Sequence, residues 1–385
     1  MSTDVTEVRY CKICSLKSTH PGVVIAGDGV CNLCKLDVAG EMLAAYRYTS
    51  ATYDEFLKAP PHPEAEFDCM LMYSGGKDST FMLDKFVNTH RKRVLAYTFD
   101  VPFESVHAAR NIDLAREKIA ATFMIDRADD DIRRVMRAVF NRPQPDAPGK
   151  YLDEKLPCVS CRTFFVIRAI IKAYQEKIPY ILICADPQQI LTMESNVRQV
   201  VRSFCSVFGV SFATDLLGEV VEEILFAEQE RLPKIVFPFI DLRHSYDPDT
   251  IVADLKAKGL YQSSPMETHC TLFPLLNYYS FRHFDCMFYK LNAASHQRAV
   301  RRNGAGARAT FSIKFPDSLR LAEVEDRMKD AILALAAGEG DPAAHQKTLE
   351  GVFNDLGVDG EGARFVAGNF LNMRSLARDL GVVLE

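Results

Sequence analysis

The sequence is 385 residues long and carries 46 Lys and Arg against 51 Asp and Glu, a formal net charge of −5. This acidic balance argues against a general nucleic-acid-binding protein, and the longest apolar runs are only strand-sized, which excludes a membrane-spanning helix. The length predicts one large domain with appendages, or two to three domains. Because the N-terminus has no basic flank and no apolar stretch, we expect no secretory signal and a cytoplasmic protein.

Eleven cysteines are the most unusual feature of the composition. In a reducing compartment, so many thiols fit metal ligands and catalytic groups better than disulfides. The first four form two Cys-x2-Cys pairs separated by 16 residues: Cys11, Cys14, Cys31 and Cys34. Two such pairs can surround Zn²⁺ tetrahedrally and leave no open coordination position, so the sequence predicts a structural zinc knuckle.

After the knuckle, a helix is predicted over 36–57, and short apolar runs then alternate with amphipathic stretches. Strands of about five residues separated by helices are typical of a parallel sheet with helices on both faces. The sequence therefore predicts a Rossmann-like α/β fold, in which ligands bind beyond the carboxyl ends of the strands. The predicted strands are 69–73, 94–99, 122–125, 179–184 and 234–237, and the predicted helices are 79–87, 106–121, 130–140 and 162–176. From residue 247 the pattern is mainly helical, with helices predicted over 319–337, 345–356 and 364–380.

The segment 74–79 follows the first predicted strand and opens the next helix. Its two glycines permit positive φ and a close approach of backbone N–H groups to an anion, and the helix N-terminus adds its dipole. The lysine supplies positive charge, the serines supply hydroxyl groups, and the aspartate can help to hold Mg²⁺ or cap the helix. The spacing is too short for a GxxxxGK[ST] loop. The predicted pyrophosphate-binding residues are Ser74, Gly75, Gly76, Lys77, Asp78 and Ser79.

Residues 73–80, Tyr-Ser-Gly-Gly-Lys-Asp-Ser-Thr, resemble the SGGxDS signature of the PP-loop ATP pyrophosphatases. Those enzymes cut ATP between the α and β phosphates, adenylate a carbonyl oxygen and release pyrophosphate, after which a sulfur or nitrogen nucleophile displaces AMP. The resemblance implies that ATP and Mg²⁺ bind here and that Lys77 and Asp78 are catalytic. It divides the chain into a zinc knuckle (1–38), a helical linker (39–66), a PP-loop ATP-binding domain (67–245) and a mainly helical C-terminal region (246–385).

A third Cys-x2-Cys pair, Cys158 and Cys161, is followed 109 residues later by Cys270. Spacing alone leaves the pair open as a redox pair, half of a metal site or a coincidence. With Cys270 it could form a three-cysteine site that leaves one iron of a cubane cluster open. The remaining cysteines lie in apolar company and are predicted to be core residues: Cys69, Cys184, Cys205 and Cys286.

Two branches of the superfamily compete. The N-terminal knuckle followed by the 74–79 loop is similar to the start of the N-acetyl-sugar amidotransferases, which act in surface-polysaccharide and flagellin-sugar biosynthesis. The layout of Cys158, Cys161 and Cys270 resembles that of tRNA-thiolating enzymes, and this resemblance implies a [4Fe-4S] cluster. The sequence departs from the thiolating enzymes after the fourth strand, where Ala-Asp-Pro-Gln-Gln at 185–189 replaces their usual Gly-His or Gly-Asn pair.

The first functional hypothesis is AMP-forming thiolation of a small molecule or nucleobase, with the three cysteines binding a cluster or carrying a persulfide. The alternative is the same activation with ammonia from a partner glutaminase. A zinc-knuckle adaptor without activity is a third interpretation, which the intact loop argues against. The expected partners are thus ATP, an acceptor, and a sulfur donor or a glutaminase subunit, with a homodimer left open and no membrane. The basic cluster at 296–302 is either a solvated helix face or a phosphate contact.

Overall fold

The computed structural model describes residues 8–13, 15–20, 23–35, 39–141, 156–186, 189–242, 245–263, 270–288 and 318–384. Within these residues, one parallel sheet has the strand order β3-β2-β1-β4-β5. In its centre, Met70 of β1 lies opposite Leu95 of β2 and Ile181 of β4. The strands are β1 (Cys69–Met72), β2 (Val94–Asp100), β3 (Thr122–Arg127), β4 (Tyr180–Leu182) and β5 (Lys234–Val236). The predicted parallel α/β fold is confirmed.

Helices precede, connect and cover the strands. A π-helical turn, Lys85–Thr89, continues α3, and short 3₁₀ turns occupy Gln189–Thr192, Gln229–Arg231 and Pro238–Leu242. The helices are α1 (Asn32–Lys35), α2 (Ala39–Lys58), α3 (Lys77–Asp84), α4 (Val106–Lys118), α5 (Asp129–Phe140), α6 (Leu156–Gln175), α7 (Val197–Phe208), α8 (Val210–Leu217), α9 (Val220–Phe226) and α10 (Pro248–Ala257).

Two predictions in this region were wrong. Helix α6 begins at Leu156 and not at 162, so that the third Cys-x2-Cys pair lies inside its first two turns. Helices α7 to α9 occupy 197–226, where no element was predicted from the sequence. Gly209 and Gly218, with φ of 89° and 87°, separate these three helices, because a left-handed backbone ends a helix at little cost only where the residue lacks Cβ.

The C-terminal region is helical, as predicted. Its helices are α11 (Phe273–Phe284), α12 (Ser318–Ala337), α13 (Pro342–Asp355), α14 (Gly360–Leu371) and α15 (Met373–Leu380). The single helix predicted over 364–380 is two helices, because the chain breaks at Asn372, whose N–H turns back to the carbonyl of Asn369 at 3.2 Å. Rings from three of these helices pack together, with Phe273 5.7 Å from Phe370.

The N-terminal knuckle packs against the C-terminal region. Apolar side chains of the knuckle bury Cys286 completely, and Phe284 lies beside them. Lys17, only 6% exposed, places its Nζ 3.4 Å from a carboxylate oxygen of Asp285 and 3.4 Å from one of the fully buried Glu325. These contacts join the first residues of the described chain to residues about 270 to 310 positions later. The four-part division of the chain stays a prediction.

The predicted core cysteines divide into two groups. Cys69 and Cys286 are fully buried, as predicted, whereas Cys184 and Cys205 are only half-buried. Among the described helices, none is by itself long and apolar enough to cross a membrane; α7 and α8 meet that test of length and composition as a pair, with a bend of 112° between them.

Candidate nucleotide and cysteine site

The 74–79 loop joins the carboxyl end of β1 to the first turn of α3. Gly75 has a φ of 67°, and a Cβ built on it would lie 2.4 Å from the carbonyl oxygen of Ala108 in α4. Real Cβ atoms do not approach a backbone oxygen so closely, and an L side chain is strained at this φ. Glycine is therefore required at position 75 both by the turn and by the contact with α4.

Hydroxyl groups hold the loop in shape without an anion. The Oγ of Ser79 donates to the carbonyl of Gly76 at 3.1 Å and accepts from the N–H of Ser74 at 3.3 Å. Thr80 donates to the same carbonyl at 2.9 Å. Gly76 is the N-cap residue of α3, and no side chain caps this described helix start. The N–H groups at the start of α3 are the kind of donors that bind a phosphate.

The charged residues of the loop form a small, half-buried network. Lys77 donates from Nζ to Oδ2 of Asp78 at 3.3 Å, and the hydroxyl of Tyr246 donates to Oδ1 of the same carboxylate at 2.8 Å. Burial raises the pKa of Asp78 above its usual range, although Lys77 and Tyr246 oppose the shift, and the charge of Asp186 raises the pKa further. Asp186 follows β4 and is 3% exposed. Two neighbouring carboxylates such as these are of the oxygen-ligand type that Mg²⁺ prefers.

The structure brings the three cysteines of the second predicted site into one neighbourhood. Cys158 is exposed and lies one helical turn before Cys161 in α6. Cys270 forms an isolated antiparallel bridge with Glu104, just after β2, and the neighbouring N–H of Thr271 donates to the carbonyl of Phe103 at 3.1 Å. Cys270 thus lies beyond the carboxyl end of β2, and its charge acts on Cys161 of the distant α6 segment.

Burial and neighbouring charges disfavour ionisation of the Cys161 and Cys270 thiols. Burial raises the pKa of Cys161 well above its usual value, and the charges of Cys270 and Cys158 raise it further. Burial raises the pKa of Cys270 to about 12, and Cys158 adds to the shift. The charge of a neighbouring thiolate thus disfavours ionisation of Cys161 and of Cys270. A bound metal centre would offset this repulsion, because it carries positive charge and binds its thiol ligands in the deprotonated form.

A short segment at the start of α4 contacts both the loop and Cys270. Ala108 contacts Gly75, and Glu104, four residues earlier, pairs with Cys270. Ser105 caps the helix by accepting from the N–H of Ala108 at 3.2 Å. The loop and Cys270 therefore contact the same short segment, residues 104–108.

The N-terminal cysteines form a separate group. The sulfur atoms of the described residues Cys11, Cys31 and Cys34 all lie within 4.8 Å of one another, close enough to bind one metal ion. The Sγ atoms of Cys11 and Cys34 are 3.9 Å apart, and Cys11 Sγ accepts from the N–H groups of Ile13 and Cys31 at 3.4 and 3.3 Å. Such N–H donors stabilise a thiolate. Three sulfurs this close can bind a metal ion, and a thiol set suits Zn²⁺.

Cys158, Cys161 and Cys270 do not lie within the same 4.8 Å of one another, although all three are described. Their sulfurs are therefore spaced more widely than the ligands of one metal ion. Cys14 and the basic cluster at 296–302 lie outside the described residues, so that their predicted roles stay predictions.

Three further polar residues at the site were missed in the sequence. Tyr246 donates a hydrogen bond to Asp78, and the charge of Asp186 acts on the same carboxylate. The third residue is Glu104, whose pKa is raised to about 7 by burial and by the charges of Asp100 and Asp113. A position just after a parallel strand was an available signal for Asp186. Nothing in the local sequence marks Tyr246 or Glu104.

The strand order, the loop at the end of the central β1 and the helix that opens behind it form a Rossmann-like parallel α/β fold, as predicted from the sequence. No protein-family model matches the chain, and no curated protein matches it. Similar solved structures include the NMN synthetase from Francisella tularensis, with 11% identity, a TM-score of 0.32, and coverage of 69% of this chain and 99% of that chain. Another is the U34-tRNA thiolase NcsA from Methanococcus maripaludis with its [4Fe-4S] cluster, with 16% identity, a TM-score of 0.33, and coverage of 84% and 89%. At such TM-scores these likenesses do not bear on the reaction, which has to be argued from the residues of this chain.

Proposed function

We propose that this protein is an AMP-forming ATP pyrophosphatase that adenylates a carbonyl oxygen of a small molecule or nucleobase and replaces that oxygen with sulfur. The observation that supports the proposal is that residues 104–108 contact both Cys270, through Glu104, and Gly75 of the loop, through Ala108, while Cys270 and Cys158 interact electrostatically with Cys161. An ATP-activating loop and a thiol cluster in one site are the two parts that such a reaction needs.

In the proposed first half-reaction, the N–H groups at the start of α3 bind the phosphates, and the carboxylates of Asp78 and Asp186 hold Mg²⁺. The acceptor's carbonyl oxygen attacks the α phosphorus, the bond between that phosphorus and the bridging oxygen to the β phosphorus breaks, and pyrophosphate leaves. The ammonium group of Lys77 stabilises the charge that develops on the leaving pyrophosphate.

In the proposed second half-reaction, a hydrosulfide equivalent from an external sulfur donor attacks the adenylated carbon. A carbon–sulfur bond forms, the carbon–oxygen bond breaks, AMP leaves with the oxygen, and the proton of the hydrosulfide passes to solvent. Cys158, Cys161 and Cys270 would hold a [4Fe-4S] cluster, which supplies one iron free of protein ligands where sulfide can be presented. The raised pKa values of Cys161 and Cys270 favour this use over a free persulfide-carrying thiolate. Zn²⁺ would occupy the N-terminal knuckle as a structural ion.

The test is anaerobic purification followed by metal analysis of the wild-type protein and of Cys270→Ala. We expect iron and labile sulfide in the wild-type protein, their loss in Cys270→Ala, and the same zinc content in both. Cys205→Ala on α7 is the matched control and should keep its iron. Zinc alone, even after reconstitution with iron and sulfide, would contradict the cluster.

Product analysis separates sulfur transfer from amide transfer. Pyrophosphate release with candidate acceptors establishes the activation step, and the mass of the product identifies the atom that replaces oxygen. A Cys270→Ala variant that forms product at the full rate would refute the sulfur route, and formation of an amide or amidine with ammonia would establish the alternative.

A further inference from the structure

The carboxylate of Asp78 is held at both oxygens by residues that approach it from different parts of the chain. The Nζ of the neighbouring Lys77 donates to Oδ2 at 3.3 Å. The hydroxyl of Tyr246, 168 residues later, donates to Oδ1 at 2.8 Å. Two donors on separate oxygens fix the rotation of a carboxylate plane as well as its position. The orientation of Asp78 is therefore set partly by the segment that follows the sheet.

The ring of Tyr246 is itself held against the helix that carries Asp78. It packs edge to face on Phe239, with ring centroids 5.3 Å apart, and Phe239 stacks on Phe81 of α3 at 6.3 Å. Phe239 is fully buried. The three rings connect α3, through Phe81, back to Tyr246, so that the tyrosine hydroxyl has a fixed position relative to the loop.

The segment that carries Tyr246 is anchored on its far side as well. Helix α10, which begins two residues later, packs on α3. Lys258, just after α10, contacts Asp84 at the end of α3 at 2.9 Å. Because both ends of α3 are tied to this segment, the tyrosine hydroxyl is not a loosely placed surface group.

We propose that Tyr246 is a positioning residue of the nucleotide site, which orients the Asp78 carboxylate to receive the Mg²⁺ of Mg·ATP. The inference rests on the proposed function for the identity of the ligand, and it extends the site to a residue outside the loop. In this role Tyr246 acts through Asp78.

The experiment compares equilibrium binding of a fluorescent ATP analogue, with Mg²⁺ and with chelator, in wild-type protein and Tyr246→Phe. The phenylalanine ring keeps the packing on Phe239 and removes only the hydroxyl. Loss of one hydrogen bond to a charged group predicts about tenfold weaker binding of the Mg²⁺ complex, with metal-free binding changed less than twofold. Tyr180→Phe, which removes a hydroxyl that donates to Glu55 at 3.1 Å, is the matched control and should bind like the wild type.

Equal weakening with and without Mg²⁺ would show a general disturbance of the loop and overturn the proposal, as would unchanged binding. In an Asp78→Ala background, removal of the Tyr246 hydroxyl should have no further effect, whereas an additive effect would contradict action through Asp78. Wild-type protein that binds Mg·ATP but releases no pyrophosphate would overturn the proposed function alone. Wild-type protein that binds no Mg·ATP would overturn both.

Discussion

Substitution of Gly75 by alanine tests the contact between the nucleotide loop and α4. The added Cβ would lie 2.4 Å from the Ala108 carbonyl oxygen, at a φ of 67°. A backbone oxygen cannot move aside as a flexible side chain can, so that the loop or α4 must shift. We expect about 1–3 kcal/mol from the backbone conformation and about 1–3 kcal/mol more from the overlap, the range measured for overpacked cores.

Two other glycines separate these two contributions. Gly209 has a φ of 89° but no atom within 4 Å of an added Cβ, so that Gly209→Ala should cost only the conformational part. Gly368 lies inside α14 with no positive φ, and the nearest atom to an added Cβ is 3.8 Å away. Gly368→Ala should be neutral or stabilising by up to about 1 kcal/mol, because alanine favours a helix interior.

The assays are chemical unfolding for all three variants and ATP-analogue binding for Gly75→Ala. We expect Gly75→Ala to be the least stable and to lose nucleotide binding, because the shift falls on the N–H groups at the start of α3. Free energies of unfolding for Gly75→Ala and Gly209→Ala that agree within about 0.5 kcal/mol, the usual limit of additivity, would refute the role assigned to the Ala108 contact. So would normal binding by Gly75→Ala.

Two predictions concern the knuckle. Lys17→Ala leaves the buried carboxylate of Glu325 without this cation. Removal of one partner of a buried ion pair costs about 3–5 kcal/mol, which urea unfolding can measure. A smaller loss of stability than in Lys177→Ala, whose ion pair with Glu64 is exposed, would contradict the buried pairing. Cys31→Ser should abolish zinc binding, loosen the knuckle and make Cys286 reactive to alkylation, as mapped by mass spectrometry. Continued protection of Cys286 would show that the knuckle covers it without metal.

The loop was predictable because all its determinants are local. A strand, a two-glycine turn and a helix start lie within about ten consecutive residues, and each has its own sequence signal. The parallel sheet was predictable for the same reason, since β1 to β5 are short apolar runs with helices between them. Local pattern was sufficient for the fold class and for the strand–turn–helix arrangement of the loop at the end of β1.

Helix boundaries were harder where residue type and pattern disagree. The start of α6 contains Pro157 and Cys, Val and Ser, none of them a strong helix former, although proline is favoured in a first turn. The apolar positions 197, 200, 201 and 204 of α7 do follow a helical period. That signal was present, and the abundance of valine obscured it.

The site beyond the loop depends on tertiary structure. Tyr246 meets Asp78 across 168 residues, and Cys270 meets Glu104 across 166, through contacts that no local pattern encodes. The raised pKa values of Cys161 and Cys270 arise mainly from burial. The residues next to these cysteines in the sequence did not indicate that burial. The sequence showed which residues carry reactive or ligating groups, but it did not show how burial and neighbouring charges change their pKa values.

The ion pairs between Lys17 and the residues at 285 and 325 also have a consequence for synthesis on the ribosome. The knuckle is synthesised before its carboxylate partners, which follow about 270 to 310 residues later. At about 5–20 residues per second, the apolar face that later covers Cys286 stays without its partner for roughly 15 to 60 seconds. Early capture of Zn²⁺ would keep the nascent knuckle folded during that interval, so zinc supply is expected to affect the yield of folded protein more than the stability of the finished chain.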